Sequence, residues 1–365
     1  MKKLVFLNVP LSICNLRCHY CYIAQRKECY QGIQPEMKYS PEHVARALSL
    51  ERLGGVAFVN ICAQGETMCL KDLDRYLEAL LNEGHYVELV TNMTVTPMLD
   101  KILQLDRELL SHLEFKCSFH FLELESNGWL QLFADNVKKA WDAGASATIE
   151  LVPNDELIPR IEDVKNFSLK NFGALPHVTI ARNDGESAIG YLTKLSMEEY
   201  DNIWGEFDSS FWKYKKTIFG VRQKEFCYAG LWTMYVDLAT GMYKQCLRSR
   251  AITDIFANPE KELPQLPVCS CHLAHCYNGH ALLTMGAIPD ATEVCYGDIR
   301  NRVREDGTEW LSPDLKDFFN EKLKNDNYCL NSTEKIMYRL KTFPLTLERK
   351  LMVKLWVLKK MKKQK

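Results

Sequence analysis

Cys14-Asn15-Leu16-Arg17-Cys18-His19-Tyr20-Cys21 sets three thiols in a C-x3-C-x2-C spacing near the start of the chain. Three thiolates on one short loop can ligate three irons of a four-iron, four-sulfur cluster and leave the fourth iron open. The competing chemistry is structural zinc, which takes four ligands, usually as two paired knuckles. No fourth cysteine stands close by in matching spacing, and Cys29 is the nearest. Residues 3–9, which feed the loop, read as a first strand.

Working outward, 365 residues can bury a large core and divide into two domains. A formal charge of −1 gives no global field to draw the chain to nucleic acid. Fourteen cysteines would suggest disulfides in a secreted chain. Met1-Lys2-Lys3 followed by Leu4–Leu7 resembles a signal peptide only briefly. Asn8 and Pro10 interrupt the apolar run, and Ile13 is too bulky for a lipoprotein-type cleavage site before Cys14. The cysteines are therefore expected in a reducing cytoplasm, free to ligate metal. No apolar run is long enough to span a bilayer.

From residue 3 to about 182 strand and helix patterns alternate. Strands are predicted at 3–9, 56–62, 86–91, 113–121, 146–152 and 177–182. Ser40-Pro41 opens a helix, with serine as N-cap and proline at the first turn. A helix over 127–143 stops at Gly144. Six such units with right-handed crossovers curl into part of a barrel. Parallel strands buried on both faces usually read as continuous apolar runs. Here one face of several strands is polar: Asn60, Cys62 and Gln64; Lys116, Ser118 and His120; Thr148 and Glu150. These faces are expected to line a wet, substrate-holding lumen, or to be satisfied polar positions on edge strands. His120 and Glu150 are the candidate substrate contacts.

The cysteine spacing resembles the radical S-adenosylmethionine (SAM) family, down to the aromatic Tyr20 before the third cysteine. The resemblance implies that Cys14, Cys18 and Cys21 hold a 4Fe–4S cluster whose open iron binds SAM. The family cleaves SAM reductively to a 5′-deoxyadenosyl radical, which takes hydrogen from a substrate carbon. Gln64-Gly65-Glu66-Thr67, after the second strand, resembles the family's "GGE" element with Gln replacing the first glycine. That element would hold the methionyl ammonium of SAM through Gly65 and Glu66. Thr91, Asn92 and Ser118 match positions that commonly contact SAM, and Arg182 would meet its carboxylate.

A second cysteine set comprises Cys227, Cys246, Cys269, Cys271, Cys276 and Cys295. Gly241–Cys246 ends in a G-x4-C pattern that resembles the SPASM and twitch extensions of the family, which carry auxiliary iron–sulfur clusters. Two of the later spacings are one residue short of the full pattern, and His280 stands where another cysteine would be. One implied grouping puts Cys269, Cys271, Cys276 and Cys295 on one cluster, with Cys227, Cys246 and His280 on part of a second. Another is a single twitch-type cluster on Cys227, Cys246 and two of the later three. A zinc ribbon is the remaining reading.

The expected fold class is α/β: a partial (βα)6 TIM-like barrel, a small cysteine-rich auxiliary-cluster domain and a helical C-terminal tail. Its expected divisions are 1–195 (core), 196–225 (linker helix), 226–296 (iron–sulfur domain) and 297–365 (helical tail with a basic end). The resemblance implies an oxidoreductase or epimerase using SAM, a 4Fe–4S cluster and one or two auxiliary clusters. A reductant such as flavodoxin or ferredoxin would supply electrons. With the first strand at residue 3, no leader-binding domain is expected before it, which favours oxidation or epimerisation of a sugar-type small molecule. A peptide-modifying maturase is the alternative, and a non-catalytic zinc or iron–sulfur protein is the reading from another class. Cys62 on a lumen face is the candidate hydrogen donor to a substrate radical. The tail, 349–365, mixes apolar residues with lysines and can meet an anionic membrane surface or dock on the body.

Overall fold

The computed structural model describes residues 1–365 apart from 26–29, 185–188, 272, 274–275, 277–278 and 364–365. Cys29 lies outside the described residues. The strands are β1 (Lys3–Val9), β2 (Ala57–Ala63), β3 (Tyr86–Thr91), β4 (Leu113–Phe119), β5 (Ser146–Leu151), β6 (His177–Val178), β7 (Arg182–Asn183), β8 (Gly190–Tyr191), β9 (Thr233–Asp237), β10 (Met242–Lys244) and β11 (Thr253–Asp254). β1 to β6 pair in chain order, all parallel. This is the α/β partial barrel expected of six βα units. β9 then joins the free edge of β1 in parallel, Leu4 opposite Thr233 and Asn8 opposite Asp237. β10 and β11 continue the same sheet antiparallel. The cysteine-rich segment is therefore built onto the barrel's own sheet.

Local chemistry places the elements. Ser40 caps helix Pro41–Ala47 through the His43 N–H at 3.3 Å. Helix Leu130–Ala143 buries Phe133, Ala134, Val137 and Ala140, a helical spacing, and stops where Gly144 takes φ of 103°. It starts three residues later than expected, because Gly128 turns the chain with φ of 71°. β4 ends at Phe119, and Phe121 opens helix Phe121–Ser126 instead of extending the strand. The stretch expected as one strand over 177–182 forms the two short strands β6 and β7.

Each central strand has two faces with different fates. Phe115, Cys117 and Phe119 of β4 point into the helix layer, where Phe119 lies 5.0 Å from the Phe133 ring. The other face looks into the barrel. The expectation of a wet lumen throughout is corrected here, because the C-terminal segment fills much of it. Phe58 of β2 packs against Tyr296 and Phe319 at ring distances of 5.8 and 5.0 Å. Above them Asn60, Glu88, Glu114 and Thr148 are buried and paired. The loop after β1 crosses the C-terminal end of the sheet, which is where barrel active sites lie.

Candidate active site

The thiol loop leaves β1 and crosses the C-terminal end of the sheet. Cys18 is buried, and Cys14 and Cys21 are half-buried. The Cys21 N–H donates to Cys18 O at 3.1 Å, which folds the triplet into a tight turn. Burial pushes the Cys14 thiol up to about 12, and the neighbouring Cys21 and Cys69 thiols add to the shift. Cys18 is raised in the same way by burial. Thiols in such a place ionise only beside a cationic centre. Among the described residues no three His, Cys, Asp or Glu side chains close on a common point at metal-binding distance. The donor set itself, three soft thiols on one loop, fits an iron–sulfur cluster.

Five contacts hold this loop in place. Gly65 lies so close beneath it that an added Cβ would stand 2.0 Å from Ile13 O. The Glu66 N–H donates to the same Ile13 O at 2.8 Å. Asn15, between the first two cysteines, donates to Thr94 Oγ1 at 2.7 Å and accepts from Asn92 Nδ2 at 2.8 Å. Tyr20 meets His120 Nδ1 through its hydroxyl at 2.9 Å. Strands β1 to β4 thus all reach the loop.

Glu66 is buried beneath it. Its Oε1 accepts from Thr91 Oγ1 at 2.6 Å and the Met68 N–H at 2.9 Å, and its Oε2 from the Asn92 N–H at 2.7 Å. Burial raises its pKa, and these three donors oppose the shift. The carboxylate is first a latch between the ends of β2 and β3. One Oε2 lone pair is left for a further donor. Thr91 and Asn92, expected as SAM contacts, are the other half of that latch.

The remaining inner positions lie towards the same end of the sheet. Ser118 and Glu150 lie opposite each other on β4 and β5. Burial holds His120 down to about 4, so its imidazole is neutral. The Cys62 thiol is pushed up to about 11 by burial, with Glu88 and Glu66 adding to the shift and Lys116 opposing it. It therefore keeps its S–H at neutral pH. Arg182 on β7 lies over the Tyr22 ring at 4.0 Å, and Gln25 Nε2 donates to its carbonyl at 2.9 Å. These two contacts tie the loop after Cys21 to β7. Arg182, Lys215, His280 and Cys276 line a shallow open cleft beside helices Ser210–Ile218 and Gly279–Thr284.

Residues 8–116, which span the thiol loop, the Gly65-Glu66 turn and the end of β3, match the radical SAM superfamily model. Over this stretch the chain is similar to a radical SAM domain. Among solved structures, the chain resembles native anSMEcpe with bound AdoMet at a TM-score of 0.51 and 13% identity, over 70% of this chain and 79% of that one. Streptococcus suis SuiB gives a TM-score of 0.45 and 15% identity, and the chain spans 64% of its length. BtrN in complex with AdoMet and 2-DOIA gives a TM-score of 0.31 and 13% identity, over 71% of this chain and 80% of that one. Identities this low speak to fold alone. No curated protein matches the sequence.

Beyond residues 8–116, the later cysteines separate into groups. Cys227, Cys246 and Cys271 lie within electrostatic reach of one another. Cys269 exchanges backbone hydrogen bonds with Cys227 at 3.0 and 3.1 Å, but its own thiol meets Thr342 Oγ1 at 3.3 Å. The Cys295 sulfur lies 3.3 Å from Asn320 O, at the start of helix Tyr296–Arg300. The His280 ring faces the barrel, with Nε2 at 3.5 Å from Lys116 Nζ. Cys276 lines the same cleft as His280.

Of the polar residues that neutralise the lumen, Glu150 was expected as functional, but Arg300, Tyr296, Glu88 and Glu114 were not legible. Arg300 is fully buried and donates to Glu150 Oε2 at 2.9 Å and to Thr148 Oγ1. Its other neighbour is Glu114 Oε1 at 3.5 Å. Tyr296 donates to Glu88 Oε2 at 2.5 Å. Burial pushes Glu114 up to about 7, and Glu88 adds to the shift. Burial acts to raise Glu150 as well, but Lys116 and Arg300 overcome it and hold the carboxyl below its ordinary value. The alternation Val87-Glu88-Leu89 was a signal for an inward carboxylate. Nothing near Arg300 announces its partners.

Proposed function

We propose that this protein is a radical SAM enzyme that oxidises or epimerises a polar, sugar-type small molecule by hydrogen abstraction. The observation that supports this is the thiol loop latched over the C-terminal end of the barrel, with Arg182 joining the segment after Cys21 to a cleft that Lys215 and His280 also line. Cys14, Cys18 and Cys21 hold the cluster. A cluster with SAM bound there supplies a 5′-deoxyadenosyl radical. Gly65, Glu66, Thr91, Asn92, Ser118 and Arg182 form the SAM surface. Tyr20 orients the loop and shares its hydroxyl with the neutral His120, which presents a hydrogen-bonding nitrogen towards substrate. Glu150, kept ionised by Lys116 and Arg300, accepts from substrate hydroxyls. Cations around the cleft suit an anionic group on that substrate.

Cys62, held as a thiol, suits epimerisation. Its S–H hydrogen atom would pass to the substrate carbon radical, and an electron and a proton from the external reductant would restore the thiol. One auxiliary cluster is placed on Cys227, Cys246, Cys271 and Cys276, with a cytoplasmic flavodoxin or ferredoxin as electron donor.

The test is anaerobic reconstitution with iron and sulfide, reduction with dithionite, and chromatography of the nucleoside product. The native chain should release 5′-deoxyadenosine from SAM. The Cys14→Ala/Cys18→Ala/Cys21→Ala variant should release none while keeping iron in the later set. Release by the triple variant would overturn the assignment, and zinc in place of iron at the later cysteines would remove the auxiliary cluster.

A further inference from the structure

Helix Phe343–Lys363 has two faces that do different things. On one side Arg349 is buried and donates through Nη2 to Val268 O and Ser270 O at 3.0 and 3.1 Å. Trp356 lies under the Arg248 guanidinium at 4.7 Å, and Glu348 pairs with Arg250 at 3.0 Å. Just before the helix, Thr342 contacts the Cys269 thiol. This side docks the helix on the cysteine-rich segment.

The other side is bare. Phe343, Leu347, Leu351, Leu355 and Leu358 recur at steps of three and four and are between 47% and 62% exposed. Side chains at that spacing share one helical face. An apolar face of this length is not left to water without cause. Exposed Lys350, Lys354 and Lys359 accompany it. From Ser332 to Lys363 there are ten lysines and arginines against two glutamates, and no acid follows Glu348.

We infer that the exposed face of this helix lies on an anionic membrane surface, with its leucines at the acyl boundary and its lysines among the headgroups. The docked side holds the helix to the body, so the whole enzyme would rest there. The charge decides between occupants. Pairing two copies through this face would bring two lysine-rich edges together, whereas an anionic bilayer neutralises them. Among the described residues no helix is long and apolar enough to cross the membrane, so contact would be in the plane of the surface.

The experiment is sedimentation of the full-length reconstituted protein with vesicles. One set is phosphatidylserine and phosphatidylcholine, and the other is phosphatidylcholine alone. At low salt the protein should bind the first set at least about tenfold more tightly, with the difference collapsing near 1 M salt. Leu351→Glu/Leu355→Glu should lose binding at least about tenfold while keeping its circular dichroism and SAM cleavage. Lys350→Gln/Lys354→Gln/Lys359→Gln should lose the preference for phosphatidylserine. Absence of binding by the full-length protein at low salt would overturn the inference. So would unchanged binding by the leucine variant, or a dimer in ultracentrifugation that the leucine variant dissolves while vesicles are ignored.

Discussion

Lys215 concentrates the electrostatics of the cleft in one side chain. Its ammonium donates to Thr179 Oγ1 at 2.6 Å and lies 4.9 Å from the Phe211 ring centre. Among the described residues no carboxylate stands at ion-pair distance from it. Burial lowers its pKa to about 7, helped by Arg182, Lys116 and Arg300 and opposed by Glu150. The sign of the pH effect follows. Between about 7 and its ordinary value of 10.5, the unfolded chain holds a proton that the folded chain has lost. Stability therefore rises with pH across that window, and the full penalty is present below it. Lys215→Met removes the penalty. In urea titrations the stability gained by Lys215→Met over the native chain should be largest near neutral pH and shrink steadily towards the alkaline end. A gain independent of pH would show that Lys215 is not desolvated. Substrate binding should follow the same titration in the opposite sense, since only the protonated amine attracts an anion.

At the scale of elements, the decisive contact is one turn pressed against another. The Gly65 turn supports the thiol loop with no room for a side chain, because the nearest atom to an added Cβ is the backbone oxygen of Ile13. A backbone atom cannot swing aside as a side-chain tip can. Gly65→Ala should therefore displace the start of the loop and cost about 1–3 kcal/mol of stability. Iron bound at the first cluster should fall more than iron at the later cysteines. Equal iron at both sites, by metal analysis with and without Cys227→Ala/Cys246→Ala, would mean that the loop absorbs the strain. Gly65 was legible because the thiol loop and the Gly-Glu turn each carry a local pattern. β1 and β3 were legible to the residue for the same reason, since their apolar runs end in clear breaks. β9 was not. Its run Thr233–Asp237 reads as a buried strand, but nothing in five residues says that its partner is β1, more than two hundred positions earlier. The auxiliary grouping of cysteines was equally obscure. Spacing put Cys269 and Cys295 among the ligands, while the fold turns their sulfurs to Thr342 and Asn320.

For the whole molecule, the C-terminal half acts as a structural part of the barrel. β9 covers the edge of β1, and helix Tyr296–Arg300 plugs the lumen from below. Arg300 and Glu114 are both fully excluded from solvent, and 186 positions separate them in sequence. A buried ion pair adds little net stability compared with apolar packing, but removing one partner strands the other charge. Arg300→Ala would strand Glu114 and deprive Glu150 of its nearest cation. The expected cost is about 3–5 kcal/mol, read as a lower midpoint in urea. Glu114→Gln in the same background should recover part of that loss, since it removes the stranded charge while Thr148 can still hydrogen-bond the amide oxygen. The two halves share one sheet and one buried charge network, so they should also unfold together. Far-ultraviolet circular dichroism and the absorbance of the bound clusters should disappear at the same urea concentration, in the native chain and in Arg300→Ala alike. Two separated transitions would mean that the cysteine-rich segment folds on its own and that the pairing of β1 with β9 contributes little to holding the barrel closed.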